Sequence, residues 1–448
     1  KSNTDDTDSH TIAQELEIAV KSIQDKIGDD FNEKLDQLLP ALSLFGYPGL
    51  NDPKLLTETT LDVAKLLTNH TKVRYTGSNG IHLPEAYNGL GTRNIILILL
   101  QLRELFKVYL AMEPRPSVHL VFIEEPEVHL HPQMQEVFIR KIADIASAFN
   151  KETGESWPVQ FVVSTHSSHV ANEAHFETIR YFLASADKNG TISTKVKDLR
   201  KGLAGKPEPD RTFLHQYMTL TRCDLFFADK AILIEGTTER LLLPRIIRML
   251  DKDLAEGKKL GSQYLSVVEV GGAYAHIFFD LVNFLELRTL VITDLDSVKA
   301  NGVGKLVACQ VSQGHKTSNA CLKSWYDNND ITPSQLLAAD DAARTKGQLR
   351  LADQCPEAET GPCGRSFEDA FMLANPELFP LSGPGEQERE TQAWEEAKEV
   401  KKSKFALEHA LSDGDWNIPR YIRGGLAWLA EGHLPSAPAP PIDAEVAA

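Results

Sequence analysis

Two short stretches constrain this chain more than anything else in it: DKAILIEGTTER at 229–240 and LVITDLDS at 290–297. In each, an apolar run too short for a helix ends on carboxylates, the pattern of a buried strand of a parallel sheet. Glu235 closes the first run and Gly236 turns the chain. Thr237, Thr238 and Glu239 then open a helix, with a threonine expected to cap it and the glutamate to complement its dipole. In the second stretch Asp294 and Asp296 flank Leu295, and a period of two expects both side chains to point the same way. The interval between holds room for a helix, a strand at 265–270 before Gly271-Gly272, and a second helix. Both strand ends then belong to one α/β sheet, and such sheets collect ligands at the carboxyl ends of their strands. Four hard oxygen donors brought to one edge repel one another unless cations lie between them, and all-oxygen ligation suits Mg²⁺ or Mn²⁺. The expectation is a pair of ions serving phosphoryl transfer. Taken singly, Glu239 is a capping charge and Asp-x-Asp a turn; order and matching strand ends make the site.

The 448 residues allow two or three domains with ample core. No apolar run approaches the ~18 residues of a membrane span, the longest being 95–100. The chain opens KSNTDDTDSH, with neither Met nor a signal peptide, and is expected to be a fragment or processed product. A net charge of −16 argues against a protein coated in basic surface, yet local basic patches still bind phosphates. Cysteines at 223, 309, 321, 355 and 363 show no CxxC or His-spaced pairing, which suits reduced thiols of a cytoplasmic protein without a zinc site.

Upstream, Ile12, Leu16, Ala19, Ile23 and Ile27, then Leu35, Leu38 and Leu42, recur at helical steps. They predict a helical hairpin broken near Gly28-Asp29-Asp30, its stripe serving as core or as a dimer contact. At 83–100, LPEAYNGLGTRNIILILL, the turn Gly89-Leu90-Gly91 feeds an apolar helix whose first N–H groups are free to meet an anion. A strand at 118–123 ends on Glu124-Glu125 and is followed by PEVHLHPQMQ and a helix. A further strand at 160–163 ends on Ser164-Thr165-His166-Ser167. Two acids at one strand end suit a nucleotide site, one holding Mg²⁺ and the next polarising water, with His166 in reach of the γ-phosphate. His129 and His131 read as packing or hydrogen-bonding residues. The basic cluster Lys195, Lys197, Arg200 and Lys201 reads as a solvated loop before a phosphate contact.

Asn88-Gly89-Leu90-Gly91, Glu124-Glu125-Pro126-Glu127 and Ser164-Thr165-His166 resemble the signature loop, Walker B with D-loop, and switch histidine of RecF-like ABC-type ATPases. The carboxylate stretches resemble a Toprim domain. That fusion, in that order, resembles the overcoming-lysogenization-defect (OLD) nucleases, over about 73–430. The resemblance implies an α/β fold: a Toprim domain, a Rossmann-like parallel sheet with flanking helices, after the C-terminal part of an ABC/RecF-like ATPase with added helices. It divides the chain into a helical segment at 1–72 that could dimerise, the ATPase half and connector at 73–225, and the nuclease domain at 226–432. A helical insertion is expected at about 325–362 and a disordered tail at 433–448.

The resemblance also implies that Ser366 and Glu368, in an extended Arg365-Ser366-Phe367-Glu368 segment, join Glu239 around a second ion, while Glu235, Asp294 and Asp296 hold the first. Ser366 as a helix cap is the alternative. A lysine before Phe405-Ala406-Leu407 would neutralise charge on the scissile phosphate: Lys402 first, then Lys404 or Lys401. The implied activity is a metal-dependent DNA endonuclease or nickase, gated in the full-length homodimer by ATP bound at Gly89, Gly91, Glu124, Glu125 and His166. No G-x-x-x-x-G-K-[ST] occurs: Gly205-Lys206, Gly257-Lys258 and Gly304-Lys305 lack the upstream glycine and the following hydroxyl. The family carries that loop near its N-terminus, so this chain is expected to be the C-terminal part of a longer protein and to hydrolyse no ATP alone. The alternatives are a topoisomerase using Tyr274, Tyr326 or Tyr421, a primase, or a RecF-like repair scaffold with purely structural carboxylates. Phage exclusion and repair both remain open as roles.

Overall fold

The computed structural model describes residues 5–43, 54–60, 70–76, 82–84, 89–186, 191–202, 205, 207–221, 224–271, 274–412, 414 and 416–431. Asn88, Cys223 and the tail 433–448 lie outside them. The chain forms two compact units, Lys1–Ala174 and His175–Ala448.

The first unit opens with α1 (Asp5–Ser43), followed by an antiparallel sheet of β1 (Lys54–Thr60), β2 (His70–Thr76) and β3 (His82–Pro84). The expected hairpin is therefore one continuous helix, and the helical segment expected at 1–72 gives way to strands. Gly28 costs about 1 kcal/mol in a helix interior, but the Gly-Asp-Asp run brings no chain reversal, and Lys34 reaches back to Asp30 across one turn. Then come α2 (Leu90–Ala111), β4 (His119–Glu124), α3 (Pro132–Thr153), β5 (Val159–Ser164) and the short α4 (Ser168–Glu173). α3 is bounded as its sequence dictates, by proline in its first turn, the His131 imidazole accepting from Gln133 N, and Gly154 at φ 72° beyond its end. β4 and β5 pair in parallel, and Leu99, Leu102, Phe106, Phe138, Ile145, Phe149 and Trp157 fill the core beside them.

The second unit begins with the hairpin β6 (Arg180–Ala186) and β7 (Ile192–Asp198), then α5 (Leu199–Gly202) and α6 (Glu208–Thr221). These elements, expected to accompany the ATPase half as its connector, cluster with the C-terminal unit instead. Lys195 and Lys197 pair with Glu286, and Phe213 and Tyr217 pack on Phe278. The central sheet follows: β8 (Lys230–Ile234), α7 (Thr237–Leu250), β9 (Leu265–Glu269), α8 (Ala275–Phe284) and β10 (Arg288–Ile292). A small sheet of β11 (Ser297–Ala300), β12 (Leu306–Ala308) and β13 (Lys316–Thr317) precedes α9 (Ala320–Trp325) and α10 (Pro333–Leu337). Next come β14 (Thr345–Lys346), β15 (Leu349–Ala352), α11 (Phe367–Ala374), α12 (Glu386–Glu399), α13 (Lys402–Leu411) and α14 (Arg420–Glu431).

The sheet order is β14-β15-β10-β8-β9, with β15, β10, β8 and β9 parallel. The insertion expected to be helical at 325–362 thus supplies a strand of the main sheet. Gly347, at φ 60°, turns β14 into β15, and Leu349 and Leu351 are buried. From β8 the chain steps to β9 on one side and then crosses to β10 on the other. The strand order reverses between β8 and β10, and the crevice beyond their carboxyl ends is where such sheets bind ligands. Every residue of β8 is buried, as a central parallel strand requires. α7, α11, α13 and α14 close the core around Ile232, Ile234, Ile246, Phe371, Phe405 and Leu426. Cys309, Cys321, Cys355 and Cys363 are free thiols. Among the described residues no helix is long and apolar enough to cross a membrane.

Candidate metal centre and nucleotide-facing strand ends

Glu235 follows β8 directly, and its Oε1 accepts from the Asn319 amide at 2.8 Å, from Asp294 N at 3.1 Å and from the Thr293 hydroxyl. Asp294 lies beyond β10, its Oδ1 2.5 Å from Gln354 Nε2. Glu239 is buried in the first turn of α7. Neither Thr237 nor Thr238 caps that helix, as had been expected; Gly236 takes the cap position with no side-chain bond. Both hydroxyls are spent on acids instead, Thr237 donating to Glu269 at 3.2 Å and Thr238 to Glu368 at 3.0 Å.

Ser366 and Glu368 do not lie in an extended segment. Ser366 is the N-cap of α11 and Glu368 sits in its first turn, because Asp369 accepts from Ser366 N at 2.7 Å and Arg365 N at 2.8 Å and nucleates the helix. The Ser366 hydroxyl still lies 3.1 Å from Glu368 Oε2, so its capping position does not remove it from the cluster. Lys402 Nζ is 3.1 Å from the same Glu368 oxygen, whereas Lys404 turns to Glu408 at 3.5 Å. Asp296 departs from the period-two expectation. β10 stops at Ile292, Asp296 adopts φ 48°, and its carboxylate pairs with Arg365 at 2.7 Å.

Two neutral amides organise this cluster, and neither was singled out from sequence. Asn319 Oδ1 accepts from Cys321 N at 2.9 Å and Leu322 N at 3.3 Å, which fixes the amide so that its nitrogen faces Glu235. Gln354 Oε1 accepts from Leu295 N at 2.6 Å, which likewise aims its nitrogen at Asp294. Nothing marked Gln354 or Arg365.

The electrostatics are those of acids forced together. Burial, then repulsion from Glu235, Glu239, Asp296 and Glu368, holds Asp294 well above the usual carboxylate range. Burial, reinforced by Glu368 and Glu235, pushes Glu239 up to about 7, and burial raises Glu235 too, against the hydrogen bonds it accepts. Lys402 is raised by Glu368 and Asp294 despite the opposing cost of burial. Among the described residues no three His, Cys, Asp or Glu side chains are arranged as a formed metal site. The oxygens instead meet Thr293, Asn319, Gln354, Arg365, Thr238 and Lys402. The donor set itself, all oxygen and mutually repelling, fits Mg²⁺ or Mn²⁺.

In the first unit, the parallel pairing of β4 and β5 sets Glu124 beside Ser164. Glu125, at φ 43°, lies 3.3 Å from the exposed His166 imidazole, and Glu127 Oε1 accepts from Thr165 Oγ1 at 2.8 Å and His166 N at 2.7 Å. Gly89 caps α2, and a Cβ on Gly91 would stand 2.6 Å from His129 O, so the glycine permits a backbone approach no side chain would. Asn94 donates to Val128 O at 3.0 Å and ties the start of α2 to the same loop. His131 caps α3 and His129 sits in the loop at φ 65°.

Residues 2–171 match an AAA ATPase domain, and residues 226–296 match an overcoming lysogenization defect protein-like TOPRIM domain. The chain is 27% identical to endonuclease GajA of Bacillus cereus (strain HuB5-5) over 414 residues, 84% of this chain and 58% of GajA. It is 25% identical to the OLD nuclease of Thermus scotoductus over 229 residues, 51% of this chain and 39% of that protein. It is 26% identical to the Old nuclease of Escherichia phage P2 over 283 residues, 60% of this chain and 42% of that one. The chain therefore spans between two fifths and three fifths of the length of these relatives.

Proposed function

We propose, from the premise that this chain joins an AAA ATPase domain to a TOPRIM domain of the overcoming-lysogenization-defect kind and belongs with the nucleases of that family, that it cuts or nicks duplex DNA at the acid cluster in the presence of Mg²⁺ or Mn²⁺. The observation that carries this is the meeting of Glu235, Glu239, Asp294, Asp296 and Glu368 at the strand-order reversal, where burial and the neighbouring acids raise the proton affinity of Glu235, Glu239 and Asp294. Glu235, Asp294 and Asp296 would hold one ion, and Glu239, Glu368 and Ser366 the other. Two such ions supply activation of the attacking water and stabilisation of the leaving oxygen. The protein's own part is to hold the carboxylates together and aimed. Asn319 and Thr293 fix Glu235, Gln354 fixes Asp294, and Arg365 balances Asp296. Lys402 brings a cation to the cluster's open rim, where charge builds on a scissile phosphate. In the cytoplasm, and in the whole protein, Gly89, Gly91, Glu124, Glu125 and His166 would face ATP and a homodimer would gate cleavage.

A purely structural role for the carboxylates is disfavoured by their cost, since a scaffold gains nothing from buried acids that repel. Of the three tyrosines a topoisomerase could use, Tyr421 is buried behind Gln354 and the Tyr326 hydroxyl is buried too, which leaves only the exposed Tyr274. The test is supercoiled plasmid incubated with a Mg²⁺ and Mn²⁺ series. Asp294→Ala should abolish nicking while leaving the unfolding midpoint unchanged or higher; undiminished nicking by that variant ends the assignment.

A further inference from the structure

We propose that the small sheet leaving the acid cluster is the surface on which duplex DNA lies, with the β11–β12 hairpin as its main contact: Lys299 and Lys305 meet phosphates and Val303 meets the groove. The proposal rests on the nuclease reading and names where its substrate is held.

Charge is the first argument. About one residue in seven of the chain is Asp or Glu, yet residues 297–326 contain none, while carrying Lys299, Lys305, Lys316, Lys323 and His315. A merely solvated segment mixes both signs; this one carries only basic side chains of its own, on a chain of net charge −16, although Glu390 and Asp330 reach Ser312 N and Lys316 from outside it. Lys316 pairs with Asp330, but among the described residues Lys299, Lys305 and Lys323 are in no ion pair. Lys299 reaches only the Gln313 amide, at 2.5 Å, and Lys323 only the Ser318 carbonyl, at 3.5 Å. Such lysines have no carboxylate partner to give up before meeting a polyanion that the acid cluster alone would repel.

Position is the second. The sheet is tied to the cluster at both ends. At its start Asp296 N donates to Arg365 O at 3.2 Å and Arg365 Nε to Ser297 O at 3.1 Å. At its end Thr317 donates to Leu295 O at 2.6 Å, Ser318 N to Asp296 O at 2.9 Å, and Asn319 to Glu235. From Ser297 to the turn the strand spans ~13 Å, about four base-pair steps of a duplex.

The third argument is the tip. Asn301 Oδ1 accepts from Val303 N at 3.1 Å and Lys305 N at 2.9 Å, and Gly304 takes φ 78°, so the turn is preformed. It holds Val303 87% exposed, an apolar side chain that nothing in the fold uses.

The test is fluorescence anisotropy of a labelled 30-base-pair duplex in Ca²⁺, titrated at several salt concentrations, with plasmid nicking read in parallel. The double variant Lys299→Gln/Lys305→Gln should bind several-fold more weakly, and its slope of log K against log salt should be shallower by about two, near one per phosphate contact. Val303→Asp, at an exposed tip where folding is not at stake, should also weaken binding. Wild-type affinity and slope in all these variants, from a wild type that binds and nicks, overturns the hairpin assignment and leaves the nuclease reading standing. Nicking by Asp294→Ala equal to wild type overturns the nuclease reading instead, while the anisotropy still judges the hairpin. A wild type that binds no duplex overturns the hairpin outright.

Discussion

At the scale of single residues, the amides do what the carboxylates cannot do for themselves. Gln354 is fully buried, and because Leu295 N–H occupies its oxygen, its nitrogen has no other orientation than toward Asp294. Gln354→Leu removes the donor while keeping the bulk. Nicking should then fall about tenfold to a hundredfold, the usual cost of losing a group that orients a ligand, measured as initial rate at saturating Mg²⁺. The acids themselves predict a pH dependence. Glu239 is raised from 4.5 to about 7, so between those values the folded state binds more protons than the unfolded. Stability of the metal-free protein therefore falls as pH rises through that window, Asp294 acting in the same direction. Thermal unfolding in EDTA should show the midpoint dropping from pH 4.5 to 7.5, and Mg²⁺ should restore it at the upper end. Glu235, Glu239 and Asp294 were legible in the sequence because an apolar run stopping on an acid is a local signal. Gln354 was not, since its place depends on β15 lying beside β10, a pairing across sixty residues that one glutamine cannot announce.

At the scale of elements, close approach decides which pieces reach the cluster. A Cβ on Gly364 would stand 2.4 Å from Ala370 N and 2.6 Å from its Cα, backbone that cannot step aside. Gly364→Ala should cost on the order of 1–3 kcal/mol and displace the start of α11, reducing nicking well beyond the loss of stability seen by calorimetry. Gly91→Ala makes the contrast: its clash with His129 O lies in the other unit, so it should lower stability there and, with no ATP present, leave nicking on plasmid unchanged. The family likeness points to Lys402 before Lys404, and α13 presents Lys402 to Glu368 from the helix's first turn. The missed strand β15 has an equally physical cause. Leu349 to Ala352 alternates as LRLA for only four residues among charged neighbours, too short a pattern to separate from a helix turn. The single helix α1 is not legible as one element because a Gly-Asp-Asp run weakens a helix without ending it.

At the scale of the whole molecule, each of the two units has a core of its own, and the motifs that mark each were legible because they are short runs at strand ends. Which unit owned residues 175–225 was not legible, since that depends on Phe213, Tyr217 and Lys197 finding α8 and its neighbours, contacts with no local pattern. The first unit sets Glu124, Glu125 and His166 on adjacent strand ends, yet the chain contains no lysine-bearing phosphate loop. Purified material should release phosphate from ATP no faster than buffer, and turnover that survives repurification would refute this. The acid cluster draws on β8, β10, α11 and α13, elements strung from Lys230 to Leu411. A ribosome that has released Asp296 has therefore released only part of it. Glu368, Lys402 and the strand β15 that leads to Gln354 emerge later, so the cluster is complete only once nearly all of the second unit has been made.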